Sequence, residues 1–269
     1  MCRLLGIVSA VPYHFDLVLR EAPHSIAMLS REHRDGWGLA THGGGPEAEW
    51  SVHRSTLTAD DDPTFAELAH SAAGRVLLAH VRKKSVGPLA PENTHPFRSG
   101  RWVFAHNGHI IDQDYVRRRT SRARLGERRG DTDSELFFAY LLTCLDEKGV
   151  TDTAVSERTD HVVRKAILDA IDRPEFGSLN VLLSNGQSVY VSRFGRTLHL
   201  MERVPIGLAV AASPTDGDPC KLADHVPLTQ RHCVVVASEP LTDEPWTPVA
   251  QGALLRLDVS PQPHWTAIA

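Results

Sequence analysis

Met1-Cys2-Arg3-Leu4-Leu5-Gly6-Ile7-Val8, residues 1–8, is the stretch from which the rest of the chain is read. It sets a cysteine at the head of a short apolar run with strand character. Once the initiator methionine is removed, Cys2 is the N-terminus, and one residue holds both a thiol and a free α-amino group. An α-amine has an ordinary pKa of about 7.7–8.0, so part of it is unprotonated at neutral pH. It can then take the thiol proton, as an N-terminal threonine is activated by its own amine. On position alone an early cysteine is more commonly a small, inert core residue. The assignment therefore depends on what lies downstream.

Strand-like stretches follow at Arg3–Val8, Trp37–Thr41, Trp50–Arg54, Val76–Arg82 and Trp102–Ala105, all short and rich in apolar or β-branched residues. Between them, Phe15–Arg31 and Thr64–Ala73 have helical periodicity. A helix pair comes next. Ser134–Glu147 has Thr132 or Asp133 as its N-cap and Phe137, Phe138, Leu141, Leu142 and Leu145 along one face, and Val155–Ile171 follows it. Strands return at Ser178–Leu183, Ser188–Phe194, Ile206–Ala211, Cys233–Ser238 and Leu254–Asp258, with Ser184-Asn185-Gly186-Gln187 as a hairpin turn. Strands, a helix pair and strands again predict an α+β chain of two packed sheets with helices outside, not alternating βαβ units. The sequence holds no internal repeat and no linker long enough to mark a second domain.

The 269 residues are enough to bury a full core, and 42% hydrophobic with 23% charged residues is a soluble globular balance. No apolar run reaches membrane-spanning length, and the first residues lack the pattern of a signal peptide. The four cysteines, Cys2, Cys144, Cys220 and Cys233, form no CxxC pair, a usage that suits a reducing cytoplasm. A net charge of −4 gives no overall attraction to nucleic acid. Arg117, Arg118, Arg119, Arg122, Arg124, Arg128 and Arg129 form a local basic run, with Glu127 as the only acid. Without interleaved aromatics it reads as a solvated, mobile flap rather than a nucleic-acid surface.

Four places downstream concentrate chemistry: His80-Val81-Arg82 at a strand end, Thr94-His95-Pro96-Phe97 in a loop, His106-Asn107-Gly108 after Trp102, and Thr132-Asp133-Ser134-Glu135 at a helix start. An arginine and an aspartate on one wall suit the carboxylate and ammonium of an amino acid, the guanidinium fork matching the carboxylate. Asn-Gly suits an oxyanion hole, with a side-chain NH₂ and a closely approaching backbone N–H aimed at one oxygen. Of the fifteen histidines, His80, His95, His106 and His109 are the metal candidates, but no metal-ligand spacing accompanies them. His80 and His106 read as satisfied wall residues. Neither a metal nor another cofactor is expected.

In this order the motifs resemble the class II, N-terminal-nucleophile glutamine amidotransferases. The match runs from Met1-Cys2 through Asp35-Gly36-Trp37-Gly38, His80-Val81-Arg82, Glu92-Asn93-Thr94-His95-Pro96-Phe97, His106-Asn107-Gly108 and Asp131-Thr132-Asp133-Ser134-Glu135. Asn180-Val181-Leu182-Leu183-Ser184-Asn185-Gly186 and Ser238-Glu239-Pro240-Leu241-Thr242 with Trp246 are similar to stand-alone members, the YafJ-like proteins and the γ-glutamyl hydrolase of ergothioneine biosynthesis. The resemblance implies a four-layer αββα sandwich and one glutaminase domain over residues 1–269.

It also implies roles. Cys2 is the nucleophile, Asn107 and Gly108 form the oxyanion hole, and Arg82, Ser85, His95 and Asp133 bind the substrate, with Arg82 on the α-carboxylate and Asp133 on the α-ammonium. Ser85 stands where related enzymes have threonine, and Val86 where those with a synthase domain have histidine. Glu32 stands where those enzymes place an arginine near the Asp35 loop. The implied substrate is glutamine or a γ-glutamyl conjugate. The alternatives are an ammonia-donating or regulatory subunit acting with a separate ammonia-accepting protein, and a non-catalytic γ-glutamyl ligand-binding protein. The expected location is cytoplasmic.

Overall fold

In the computed structural model, which describes residues 2–45, 47–150, 156–173, 175–204 and 232–268, the N-terminal apolar run is a central strand. The strand expected at 206–211, Cys220, and the start of the second paired helix at Val155 lie outside those residues. β1 (Arg3–His14) pairs antiparallel on one side with β4 (Ala73–Val81) and on the other with β10 (Cys233–Ala237). Outward from β10 lie β9 (His199–Arg203) and β11 (Thr247–Pro248), and outward from β4 lie β2 (Trp37–His42) and β3 (Ser51–Ser55).

A second antiparallel sheet has six strands in the order β13 (His264–Ala267), β12 (Leu254–Asp258), β8 (Ser188–Ser192), β7 (Gly177–Ser184), β6 (Trp102–Ile110) and β5 (Phe97–Ser99).

Both faces of β1 are covered, which is why it reads as a continuous apolar run and not as an alternation. Leu4 and Val8 point into a core shared with Val103, Leu182, Val191 and Leu257 of the other sheet. Leu5 and Ile7 point the other way, against Phe15, Leu19, Ile26 and Phe65. Those residues belong to the Leu17–Glu21 π-turn, α1 (Ile26–Ser30), α2 (Pro63–Ser71) and the chain leading into them. On the far side α5 (Asp133–Glu147) and α6 (Glu157–Ile171) lay Phe137, Leu141, Val163 and Ile167 on Phe104, Leu183 and Tyr190 of the six-stranded sheet. Three apolar cores thus separate four layers, helix–sheet–sheet–helix, the αββα sandwich that the resemblance implies.

Thr132 caps α5 by accepting the Glu135 N–H at 3.1 Å. The turn at 184–187 closes the β7–β8 hairpin, with the Asn185 side chain accepting the N–H groups of Gln187 and Ser188. The helix expected over Phe15–Arg31 is broken instead. Pro23 drives Ala22 to ψ 150°, an extended conformation, and two short turns replace one helix. The arginine-rich run is not a solvated flap either. It forms the end of α3 (Gln113–Arg119) and α4 (Arg122–Gly126), and Arg124 forks onto Asp146 at 2.7 and 2.8 Å while bonding Glu127 at 2.8 Å. Among the described residues no helix is long and apolar enough to cross a membrane.

The inter-sheet core predicts a clear contrast. Leu182→Ala removes a fully buried side chain and is expected to cost about 2–5 kcal/mol in urea unfolding. Leu57→Ala, at a position 57% exposed, should stay within about 0.5 kcal/mol of wild type. Equal losses from the two would contradict the placement of the core.

Candidate active site

Cys2 stands at the open end of β1, one residue before the Arg3↔Val81 pair that starts its register with β4. The Arg3 guanidinium pairs with Glu239 at 2.9 Å and also donates to the Cys2 carbonyl at 3.2 Å. The neighbouring strands end beside it. β4 runs out into Arg82 and Lys83, and β10 into Ser238. The Lys83 backbone N–H donates to the Cys2 Sγ at 3.3 Å. Burial raises the Cys2 thiol pKa above its ordinary value, and the Lys83 N–H and the Arg82 and Arg3 charges only partly offset that. At neutral pH this sulfur is a thiol, and it needs a base to become a nucleophile.

Cys2, Arg82, Ser85, His95, Gly108 and Asp133 line one cavity, so six of the seven expected site residues meet there. Asn107 does not line it. It sits just behind on β6, next to Gly108, and its side-chain NH₂ donates to the Ser238 Oγ at 3.3 Å. That same hydroxyl accepts the Leu4 N–H at 2.9 Å, tying Asn107 to the strand that presents Cys2. A Cβ at position 108 would fall 2.0 Å from the Ser178 carbonyl oxygen and 2.3 Å from the His106 ring, so only glycine fits there.

Arg82 is buried, and its guanidinium donates to the carbonyls of Val86 at 2.9 Å and Pro88 at 3.3 Å. It forms no ion pair among the described residues. Burial lowers its pKa, offset by the proximity of Cys2 and Asp35. Asp133, the first residue of α5, accepts the Ile110 N–H at 2.8 Å and the Ser134 N–H at 3.0 Å, with the His109 ring 3.3 Å away. The cavity measures about 20 Å³, space for roughly one water. Lys83, Ser85 and Val86 of the segment after β4 form part of its wall.

Four histidines lie beneath the site. His106 is satisfied as expected, by the Ser134 Oγ at 2.9 Å and the Ser178 carbonyl at 3.0 Å. His80 is not, contrary to expectation: its two ring nitrogens, like those of His95 and His33, are buried without a hydrogen-bond partner of ordinary geometry. The His80 and His95 rings lie 4.4 Å apart, and His95 rests on Phe97 at 4.5 Å. Burial lowers the pKa of all four, His33 to about 4 and His80 to about 3, so the rings are neutral at physiological pH. Among the described residues no group of three or more His, Cys, Asp or Glu is placed to hold a metal ion.

Sequence reasoning missed Lys83, Asn93 and Ser238 as parts of the site. Lys83 acts through its backbone, which no side-chain motif reveals. Asn93 ties the Pro88 carbonyl at 3.1 Å to the Asp131 N–H at 2.8 Å, and it lies within the quoted 92–97 stretch. Ser238 lies at the start of the 238–242 motif.

The histidines make stability depend on pH. Their folded pKa values lie below the roughly 6.5 of an unfolded chain, so the unfolded state binds protons first as pH falls. Their contribution is complete above about pH 6.5 and declines toward about pH 4 for His33 and pH 3 for His80. Between pH 7.5 and 5.0 each is expected to cost about 2 kcal/mol of unfolding free energy, read from urea midpoints. A midpoint unchanged over that range would show the rings to be solvated.

Comparison with known proteins agrees over most of the length. The profile of the class-II glutamine amidotransferases matches residues 1–263. The chain is 29% identical over 231 residues to the γ-glutamyl-hercynylcysteine sulfoxide hydrolase of Mycolicibacterium smegmatis, covering 81% of this chain and 90% of that one. Among solved structures, a predicted glutamine amidotransferase of Pseudomonas aeruginosa superposes with a TM-score of 0.62 at 25% identity, covering the whole of both chains. The glutamine phosphoribosylpyrophosphate amidotransferase of B. subtilis superposes at 0.64 and 15% identity, matching all of this chain and 49% of that one, and shares the fold.

Proposed function

This chain belongs to the class-II glutamine amidotransferases, enzymes of the N-terminal cysteine amidohydrolase kind, and on that premise we propose that it hydrolyses the γ-glutamyl amide bond of glutamine or of a γ-glutamyl conjugate. The observation behind this reading is Arg82: a buried guanidinium held only by backbone carbonyls, beside the thiol, suited to exchange those carbonyls for a substrate carboxylate. Asp133 takes the α-ammonium, Ser85 assists at the carboxylate, and neutral His95 forms the apolar wall along the side chain.

The thiol gives its proton to the α-amine of processed Cys2 as sulfur bonds to the amide carbon. The carbonyl oxygen becomes an oxyanion held by the Asn107 NH₂ and the Gly108 N–H. The ammonium returns the proton to the departing nitrogen, the C–N bond breaks, and ammonia or an amine leaves behind a thioester. Water then attacks the thioester, its proton returns to the sulfur through the same amine, and glutamate departs. The raised thiol pKa is the reason the amine is needed. Met1 lies outside the described residues, and its removal is part of this proposal.

The name of the mycolicibacterial relative supports a conjugate as substrate. Residues 1–269 act as one glutaminase domain in the cytoplasm, with water as acceptor. Transfer of ammonia to a separate protein is the alternative, distinguished by co-purification of a stoichiometric partner.

The test is glutamate release from glutamine and from γ-glutamyl amines, peptides and thiol conjugates. Active enzyme should lack Met1 by intact mass, and Cys2→Ser should be folded and nearly inactive. Full activity with Met1 retained would sink the mechanism.

Asn107→Ala should lower kcat by about 10²–10³-fold with KM nearly unchanged, because it meets charge present only in the transition state. Asp133→Asn should chiefly raise KM. It is a cleaner test than alanine, which would strand both the Ile110 and Ser134 N–H groups, whereas the asparagine carbonyl still accepts one of them. If substrates lacking the α-amino group are cleaved equally well by wild type and Asp133→Asn, the glutamyl assignment is wrong.

A further inference from the structure

The arginine-rich segment that the cysteine chemistry leaves unused walls a second cavity of about 600 Å³. That is within the roughly 300–1,000 Å³ of small-molecule sites. It lies between the edge strands β3 and β5, the 124–129 segment and the first turns of α5, and five arginines face two glutamates there. Three of the arginines are engaged. Arg98 bonds Glu49 at 2.7 Å and the Trp50 carbonyl at 2.9 Å. Arg124 is bound to Asp146 and Glu127. Arg128 donates from Nη2 to the Gly130 carbonyl at 3.2 Å and lies 3.9 Å from Glu135, while its Nε is buried with no hydrogen bond. The Glu135 carboxylate is already occupied by the backbone N–H groups of Arg129 and Gly130, at 2.9 and 2.8 Å.

Arg54 and Arg129 are left over. Neither guanidinium has an ion-pair or hydrogen-bond partner among the described residues. Arg54 holds its proton less tightly than usual, chiefly because it is desolvated and next because of the Arg129 charge, with Glu92 and Glu135 offsetting part of this. Two guanidiniums that repel one another in a partly dry cavity are stabilised by an anion shared between them. Their planar forks match the paired oxygens of phosphate or carboxylate.

We propose that this cavity binds a small multivalent oxyanion, a phosphorylated or polycarboxylate metabolite, clamped between Arg54 on β3 and Arg129 ahead of α5, with the Arg128 Nε as a further donor. The site is separate from the cysteine cavity but close to it in the chain. Two residues beyond Arg129, the Asp131 N–H holds Asn93, and Asp133 follows.

The experiment is calorimetric titration of the full chain at about 150 mM salt, where diffuse surface charge is largely screened, with pyrophosphate in one arm and citrate in the other. Saturable one-to-one binding is expected in at least one arm, and the arm that binds tells phosphorylated from polycarboxylate ligands. Arg54→Gln and Arg129→Gln should each weaken it at least tenfold. Arg117→Gln, an exposed arginine of the same run outside the cavity, should leave it unchanged. Arg129 is exposed, so its substitution tests the clamp even if the Arg54 variant folds poorly. Cys2→Ala should bind as wild type does, whatever becomes of the γ-glutamyl reading. Absence of saturable binding in both arms, or equal losses from all three arginine variants, would overturn the site.

Discussion

The pairing of β1 on both sides is the constraint from which the rest of the molecule follows. Leu5 stands opposite Ala79 on β4 and Ala237 on β10, and Arg3 opposite Val81. These registers decide which face of β1 enters which core. They also decide that Cys2 emerges where β4 turns into Arg82 and β10 into Ser238. A slip of one residue would carry Leu4 and Val8 out of the inter-sheet core and Leu5 and Ile7 into it, and every site distance would be lost with them. With both faces buried such a slip is strongly disfavoured, so the position of the thiol is held by the packing of both sheets.

The second sheet is brought to the same end by a few close approaches. Gly38 on β2 has the His95 carbonyl where a Cβ would be, 1.9 Å away, so the 91–96 loop packs directly on the first sheet. Gly108 allows the equivalent contact of β6 with β7 at Ser178. The Ser238 hydroxyl then joins the layers, accepting from Leu4 in one sheet and Asn107 in the other. Cys2, the Asn107–Gly108 pair and Arg82 thus stand on or at the ends of three strands, β1, β6 and β4, whose relative positions are set by core packing.

Much of this was legible because the central strands are short, apolar and bounded by turns, and because α5 announces itself with a capping threonine. The edges were not. β5, β9, β11 and β13 are two to five residues long and largely polar, and they are strands only because a neighbour offers hydrogen bonds. Pro23 ended a helix that periodicity alone would have continued. Charge misled at α3 and α4, where the basic run looked solvated although Tyr115 and Val116 anchor it and Asp146 lies across from Arg124. The motifs named six residues that line one cavity, but the Lys83 backbone N–H and the unsatisfied state of His80 depend on three-dimensional context.

The electrostatics of the two cavities share a logic. Around Cys2, burial opposes both the thiolate and additional positive charge. The histidines respond by staying neutral, whereas Arg82 stays charged and satisfies itself with the Val86 and Pro88 carbonyls. In the arginine cavity, Glu135 is spent on backbone N–H groups that cap the approach to α5, which leaves Arg54 and Arg129 without a direct ion pair among the described residues. Desolvated guanidiniums are costly when left without an anion. The short stretch 129–133 thus joins the two cavities: Arg129 at its start lines the arginine cavity, and Asp133 at its end lines the cysteine cavity together with Arg82.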